Sequence, residues 1–109
     1  MSYQDPGPPH NVHEWDIPAL QTLTVDVRNV AYPFGWSVIP GAGGTVTHRG
    51  ANADEPEDSD WLEPVDNAEI SEATQAAEST PVAWLRWAAD GAGAKVAITV
   101  AGNPRGTVA

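Results

Sequence analysis

The chain has 109 residues, no cysteine, and fifteen carboxylates against five lysines and arginines, for a formal net charge of −10. That length suits one domain with one core, and the missing thiols exclude disulfides, zinc–thiolate sites and cysteine nucleophiles. The charge repels phosphate backbones and anionic lipid, so direct nucleic-acid binding and membrane association are disfavoured. No apolar run approaches the ~20 residues of a membrane helix and no signal peptide opens the chain, so we expect a soluble protein made in a cytoplasm. Solubility, high-salt adaptation or docking on a basic partner would each account for the surplus acid. Ten glycines and ten prolines point to many turns, as in an all-β protein.

Residues 1–18 (MSYQDPGPPHNVHEWDIP) are proline-rich and lack periodicity, which predicts an extended arm. Trp15 and Ile17 are costly to leave in water, so the second half of the arm should be docked, on its own subunit or on a neighbour.

The globular part is expected over residues 19–109. Residues 20–30 (LQTLTVDVRNV) alternate, with Leu23, Val25 and Val27 on one face and Thr22, Thr24, Asp26 and Arg28 on the other. That is the pattern of an antiparallel strand with one face in a core. WSVI (36–39), a glycine-rich turn at 40–44 and TVTHR (45–49) read as a hairpin. Residues 50–64 hold six carboxylates and no basic residue, predicting an exposed acidic loop anchored by Trp61 and Leu62. Residues 65–80 read as irregular, with one helical turn or a short edge strand at 68–71.

Residues 81–101 (PVAWLRWAADGAGAKVAITVA) give the strongest signal. Ala83, Leu85 and Trp87 share one face, Val82, Trp84 and Arg86 the other. Val96, Ile98 and Val100 then alternate with Lys95, Ala97 and Thr99 around a DGAG turn. A second hairpin is predicted here, followed by a turn and short tail over 102–109. Five or six strands with little helix predict a small antiparallel β-sandwich or jelly-roll-like barrel with an extended N-terminal arm.

Chemistry-bearing motifs are sparse. The acidic loop is a candidate for calcium, but EF-hand spacing and its glycine are absent, so a solvated loop is the expectation. His10 and His13 lie three apart among prolines that oppose the helix such a metal pair needs. His48 stands alone on a strand. No nucleophile elbow, phosphate loop or paired carboxylates can be found. No catalytic, cofactor or metal residue is therefore assigned, and the expected activity is binding, not turnover.

Five tryptophans are many for this length. Aromatics stack on sugars and dominate protein–protein hot spots. Trp84 and Trp87 fall on opposite faces of one strand, so one belongs to the interior. The other is covered by the arm, by a loop such as that of Trp61, or by another chain. Arg86 shares the face of Trp84, which suggests a stacked Arg–Trp patch. The candidate partner-binding set is Tyr3, Trp15, Ile17, Trp84, Arg86 and Trp87, with interface or core-closing roles for Trp84, Arg86 and Trp87.

Over residues 43–102, the glycine turn, the TVTHR strand, the loop with Trp61-Leu62-Glu63, PVAWLRW, the DGAG turn and AKVAITVAG together resemble the small β-sheet accessory and decoration proteins of tailed-bacteriophage virions. His48 and Arg49 interrupt the apolar rhythm of that pattern, and the acidic loop is longer and more charged. The resemblance implies a non-enzymatic capsid decoration, head-fibre or tail-attached subunit in the virion, assembled in the host cytoplasm. Its implied partners are the major capsid protein or other virion subunits, and its implied form is a homo-oligomer such as a trimer. The alternative is a carbohydrate-binding module using exposed tryptophans.

Overall fold

The computed structural model describes residues 10–109, so Tyr3 and the first half of the expected arm lie outside the described residues. Among the described residues nine strands run in order: β1 (Asn11–Ile17), β2 (Thr22–Asp26), β3 (Phe34–Pro40), β4 (Val46–Ala51), β5 (Glu69–Ile70), β6 (Thr74–Glu78), β7 (Trp84–Ala89), β8 (Ala94–Val100) and β9 (Arg105–Val108). A single 3-10 turn, Asp58–Asp60, interrupts the acidic loop. The strands form two antiparallel sheets, β1-β8-β3-β6 and β5-β4-β7-β2-β9, packed as a small β-sandwich.

The alternating residues point where the sequence pattern places them. Leu23, Val25, Leu85, Trp87 and Val46 face inward from one sheet, and Trp36, Val38, Val96, Ile98 and Val100 meet them from the other. Burying each such side chain is worth about 1.5–3 kcal/mol relative to leaving it in water.

The connections differ from expectation. Neither predicted hairpin exists. β7 pairs with β2 and β4, whereas β8 pairs with β1 and β3. The strands β3 and β4 likewise lie in opposite sheets, and only β4 to β5 stays within one sheet. A glycine-rich turn between two alternating strands serves an arch between sheets as well as a hairpin, because both keep the period of two. Two further elements differ. β6 lies in the stretch read as irregular, and β9 lies in the tail, paired to β2. The edge strand expected at 68–71 is β5, paired to β4.

The expected arm also divides differently. Residues 11–17 form β1, hydrogen-bonded along β8 of the same chain, so the sandwich includes residues 11–17 and is not confined to 19–109. Trp15 points inward and fills one open edge between the sheets, where a Cβ built on Gly106 of β9 would lie 2.6 Å from its ring.

The crossings are tied together at both ends. At one end, Asp90 Oδ1 accepts from Ala92 N at 3.0 Å and Oδ2 from Thr45 N at 2.8 Å. Its carbonyl accepts from Leu20 N at 2.9 Å. At the other end, the Tyr32 hydroxyl donates to the Val82 carbonyl at 2.9 Å and accepts from Val82 N at 3.2 Å. The two amide donors of Ala92 and Thr45 hold the Asp90 pKa below the ordinary 3.8. A lowered folded-state value means that this stabilisation is complete above pH 3.8 and is lost as pH falls below it. Asp90→Asn should therefore melt at a lower temperature than the parent at neutral pH, with the gap closing only below pH 3.8. Thermal melts across pH check this, and a gap constant down to strong acid would refute it.

Candidate functional site

Two surfaces gather the polar and aromatic side chains that the core leaves over. The first is the outer face of the five-stranded sheet. Strand register sets Arg105, Asp26 and Trp84 in one row across β9, β2 and β7, and Thr107, Thr24, Arg86 and Arg49 in the next across β9, β2, β7 and β4. With Arg28 just beyond β2, all four arginines of the chain lie on or beside this face.

Directly opposed Arg49 and Arg86 would repel one another if left bare. The acidic loop folds back over them. Trp61 covers the Arg86 guanidinium at 4.3 Å, and Glu63 accepts from Arg49 Nη2 at 3.3 Å. Burial pulls the Arg86 pKa down from its ordinary value, while the nearby Asp58 charge opposes that shift. The loop is thus more than a solvated acidic run, and Trp61 is its anchor as expected. Its neighbour Leu62 stays exposed and contributes a backbone bridge to Gly50.

Trp84 is half-buried. Its Nε1 donates to the Ala53 carbonyl at 2.9 Å, and Arg28 stacks on its ring at 4.8 Å. Arg28 is held in turn by Asp26 at 2.9 Å. The Asp26 pKa is lowered chiefly by that side-chain bond, with burial opposing. The stacked Arg–Trp patch is present with different partners from those expected: Arg28 lies on Trp84, and Arg86 on Trp61. Arg105 is exposed and has no ion pair among the described residues.

The remaining candidates divide clearly. Trp87 and Ile17 are core, at 0% and 2% exposure, so a role in touching a partner is corrected to closing the interior. Trp15 is half-buried at the sandwich edge. Trp84 and Arg86 keep outward positions.

The second surface is a cleft of about 370 Å³ at the opposite open edge, between β4 and β6. His48 and Glu78 form its inner end, and Asp60, Glu63 and Leu62 of the acidic loop form its wall. His48 stacks on Trp87 with ring centroids 4.7 Å apart and meets Trp36 at 4.9 Å. Its Nδ1 lies 3.0 Å from the Arg86 carbonyl oxygen. A carbonyl only accepts, so Nδ1 carries the proton and donates. That leaves Nε2 3.9 Å from Glu78 Oε1 and without a hydrogen bond of its own, an acceptor when the ring is neutral. Glu78 Oε1 accepts from Trp36 Nε1 at 3.1 Å.

Sequence reasoning placed His48 on a strand but missed Glu78, which sits in the stretch read as irregular. Only the alternation of β4 signalled that His48 points inward. His10 and His13 do not converge with Glu14 and Asp16 as a metal site. Among the described residues no three histidine or carboxylate side chains gather in a cluster able to hold a metal ion.

No family model matches the chain, and no curated protein or solved structure shows significant similarity to it.

Proposed function

We propose that the protein works by binding and not by turnover, as a virion subunit that decorates or stabilises a tailed-bacteriophage capsid. It docks through the outer face of the five-stranded sheet. The observation that carries the reading is the gathering of all four arginines with Trp84 and Trp61 on one face of a chain whose net charge is −10. Such a face concentrates the arginines of the chain beside two of its tryptophans, and arginine and tryptophan are residues that interface hot spots favour. Its occupant is an acidic surface of the shell protein, which Arg105 and the free sides of the two Arg–Trp stacks complement. The symmetry of a shell would repeat the contact and multiply a modest interface by avidity.

The carbohydrate-binding alternative has less support. Trp15, Trp36 and Trp87 point into the sandwich, and each of the two outward indoles already has an arginine on its ring.

The test is cosedimentation with particles of the phage that encodes the chain, stripped of this subunit. The parent protein should bind, and the paired change Arg105→Glu with Trp84→Ala should weaken binding about tenfold or more. Its circular dichroism should stay native. Purified particles in which mass spectrometry finds none of the protein would overturn the reading.

A further inference from the structure

We propose that the cleft between β4 and β6 is a binding site for an organic ammonium ion, the head group of a free alkylamine or of a lysine side chain. This inference stands apart from the virion reading, because it rests on the cleft alone.

The chemistry of the lining points one way. When its ring is neutral, His48 offers only the Nε2 lone pair, since Nδ1–H is committed to the Arg86 carbonyl. Glu78 adds a carboxylate, and Asp60 and Glu63 line the same cleft with one oxygen each committed, to Glu57 N at 2.8 Å and to Arg49 Nη2 at 3.3 Å; no lysine or arginine is among the lining residues. With His48 neutral, two acceptors, its Nε2 and Oε1 of Glu78, face each other 3.9 Å apart with no donor between them. Lone pairs so placed repel unless a donor bridges them, and a cationic donor does so most strongly.

The His48 side chain is 2% exposed, so its unpaired nitrogen has no route to bulk water except through the cleft. A nitrogen that opens only into the cleft is placed to accept from a donor bound there. Apolar Leu62, Val82 and Leu85 line the same space and suit the methylene stem that an ammonium carries. A divalent metal fits less well, because no third ligand converges with His48 and Glu78 among the described residues.

The experiment is an NMR titration of the full chain with butylammonium, with tetramethylammonium as a cation lacking N–H donors, and with zinc. A fourth arm uses a short peptide bearing one lysine and no other charge. Butylammonium should shift the His48 ring and the Trp36 indole N–H signals saturably, with tetramethylammonium binding about tenfold or more weakly. Glu78→Gln keeps an oxygen for Trp36 and removes the charge, and it should weaken butylammonium binding by a similar factor. The peptide arm separates the sources: tighter binding than butylammonium assigns the site to a lysine side chain, and weaker binding to a free amine. Absence of saturable shifts, equal response to tetramethylammonium, or a response to zinc alone would overturn the proposal. Should Glu78→Gln fail to fold, the comparison of the two ammonium ions on the parent chain decides the matter.

Discussion

Trp87→Ala should cost about 3–5 kcal/mol of unfolding free energy, the range for deleting a large buried aromatic. A domain of this size has about 5–15 kcal/mol in total, so the variant would lose much of its stability at once. The indole is fully buried at the centre of the sandwich, stacked on His48 at 4.7 Å and edge-on to Trp36 at 5.5 Å. Alanine there would leave a cavity between the sheets that neither neighbour can fill without leaving its own contacts. Trp84→Ala, three residues away on the same strand, should cost markedly less. Trp84 faces outward and would lose one hydrogen bond to Ala53 and its stacking with Arg28. Urea titrations of both variants make the comparison. Equal losses would mean that the two faces of β7 are not core and surface. Trp87→Phe is a useful third point, because the Trp87 Nε1 donor is buried without a partner. Phenylalanine removes that unpaired donor while keeping most of the volume, so its loss should fall well short of alanine's.

The contrast between those two tryptophans was legible in the sequence, because alternation alone assigns the faces of β7. The same rule correctly turns Leu23, Val25 and Val27 inward, as it does Val96, Ile98 and Val100. It says nothing about which strand lies alongside. In a hairpin and in an arch the apolar residues of both strands reach the same core, so the DGAG turn fits either. What decides is the long-range pairing of β7 with β2 and β4, which no local pattern encodes. β6 was hidden for another reason. Its TQAAE is poor in β-branched and aromatic residues, and its place as an edge strand comes from pairing with β3. The cleft inherits that difficulty, since His48 and Glu78 are thirty residues apart in the chain and meet only because β4 and β6 face each other from opposite sheets. The arginine face was half legible: alternation sets Arg86 beside Trp84, while the arrival of Arg28 and Trp61 depends on how loops fold back.

The arches themselves make the second large prediction. Gly41→Ala should destabilise the fold by about 1–3 kcal/mol or more, the range for forcing atoms into a packed site. A Cβ at residue 41 would sit 2.1 Å from the carbonyl oxygen of Ala92, and one at residue 44 would sit 2.6 Å from the Ala92 Cβ. The turn between β3 and β4 is thus pressed against the turn between β7 and β8, and Gly41 N donates to the Gly93 carbonyl across that contact at 2.9 Å. Because the obstacle is backbone, relief requires the two turns to part, which would also stretch the bond from Thr45 N to Asp90 Oδ2. Gly91 provides the internal control: it lies in the facing turn between β7 and β8, yet its Cβ would meet nothing within 4 Å and its φ is ordinary. Gly91→Ala should leave the urea midpoint almost unchanged, while Gly41→Ala lowers it sharply. If the two behaved alike, the turns would not be packed together, and the hairpins expected from sequence would again describe this end of the molecule better than the arches.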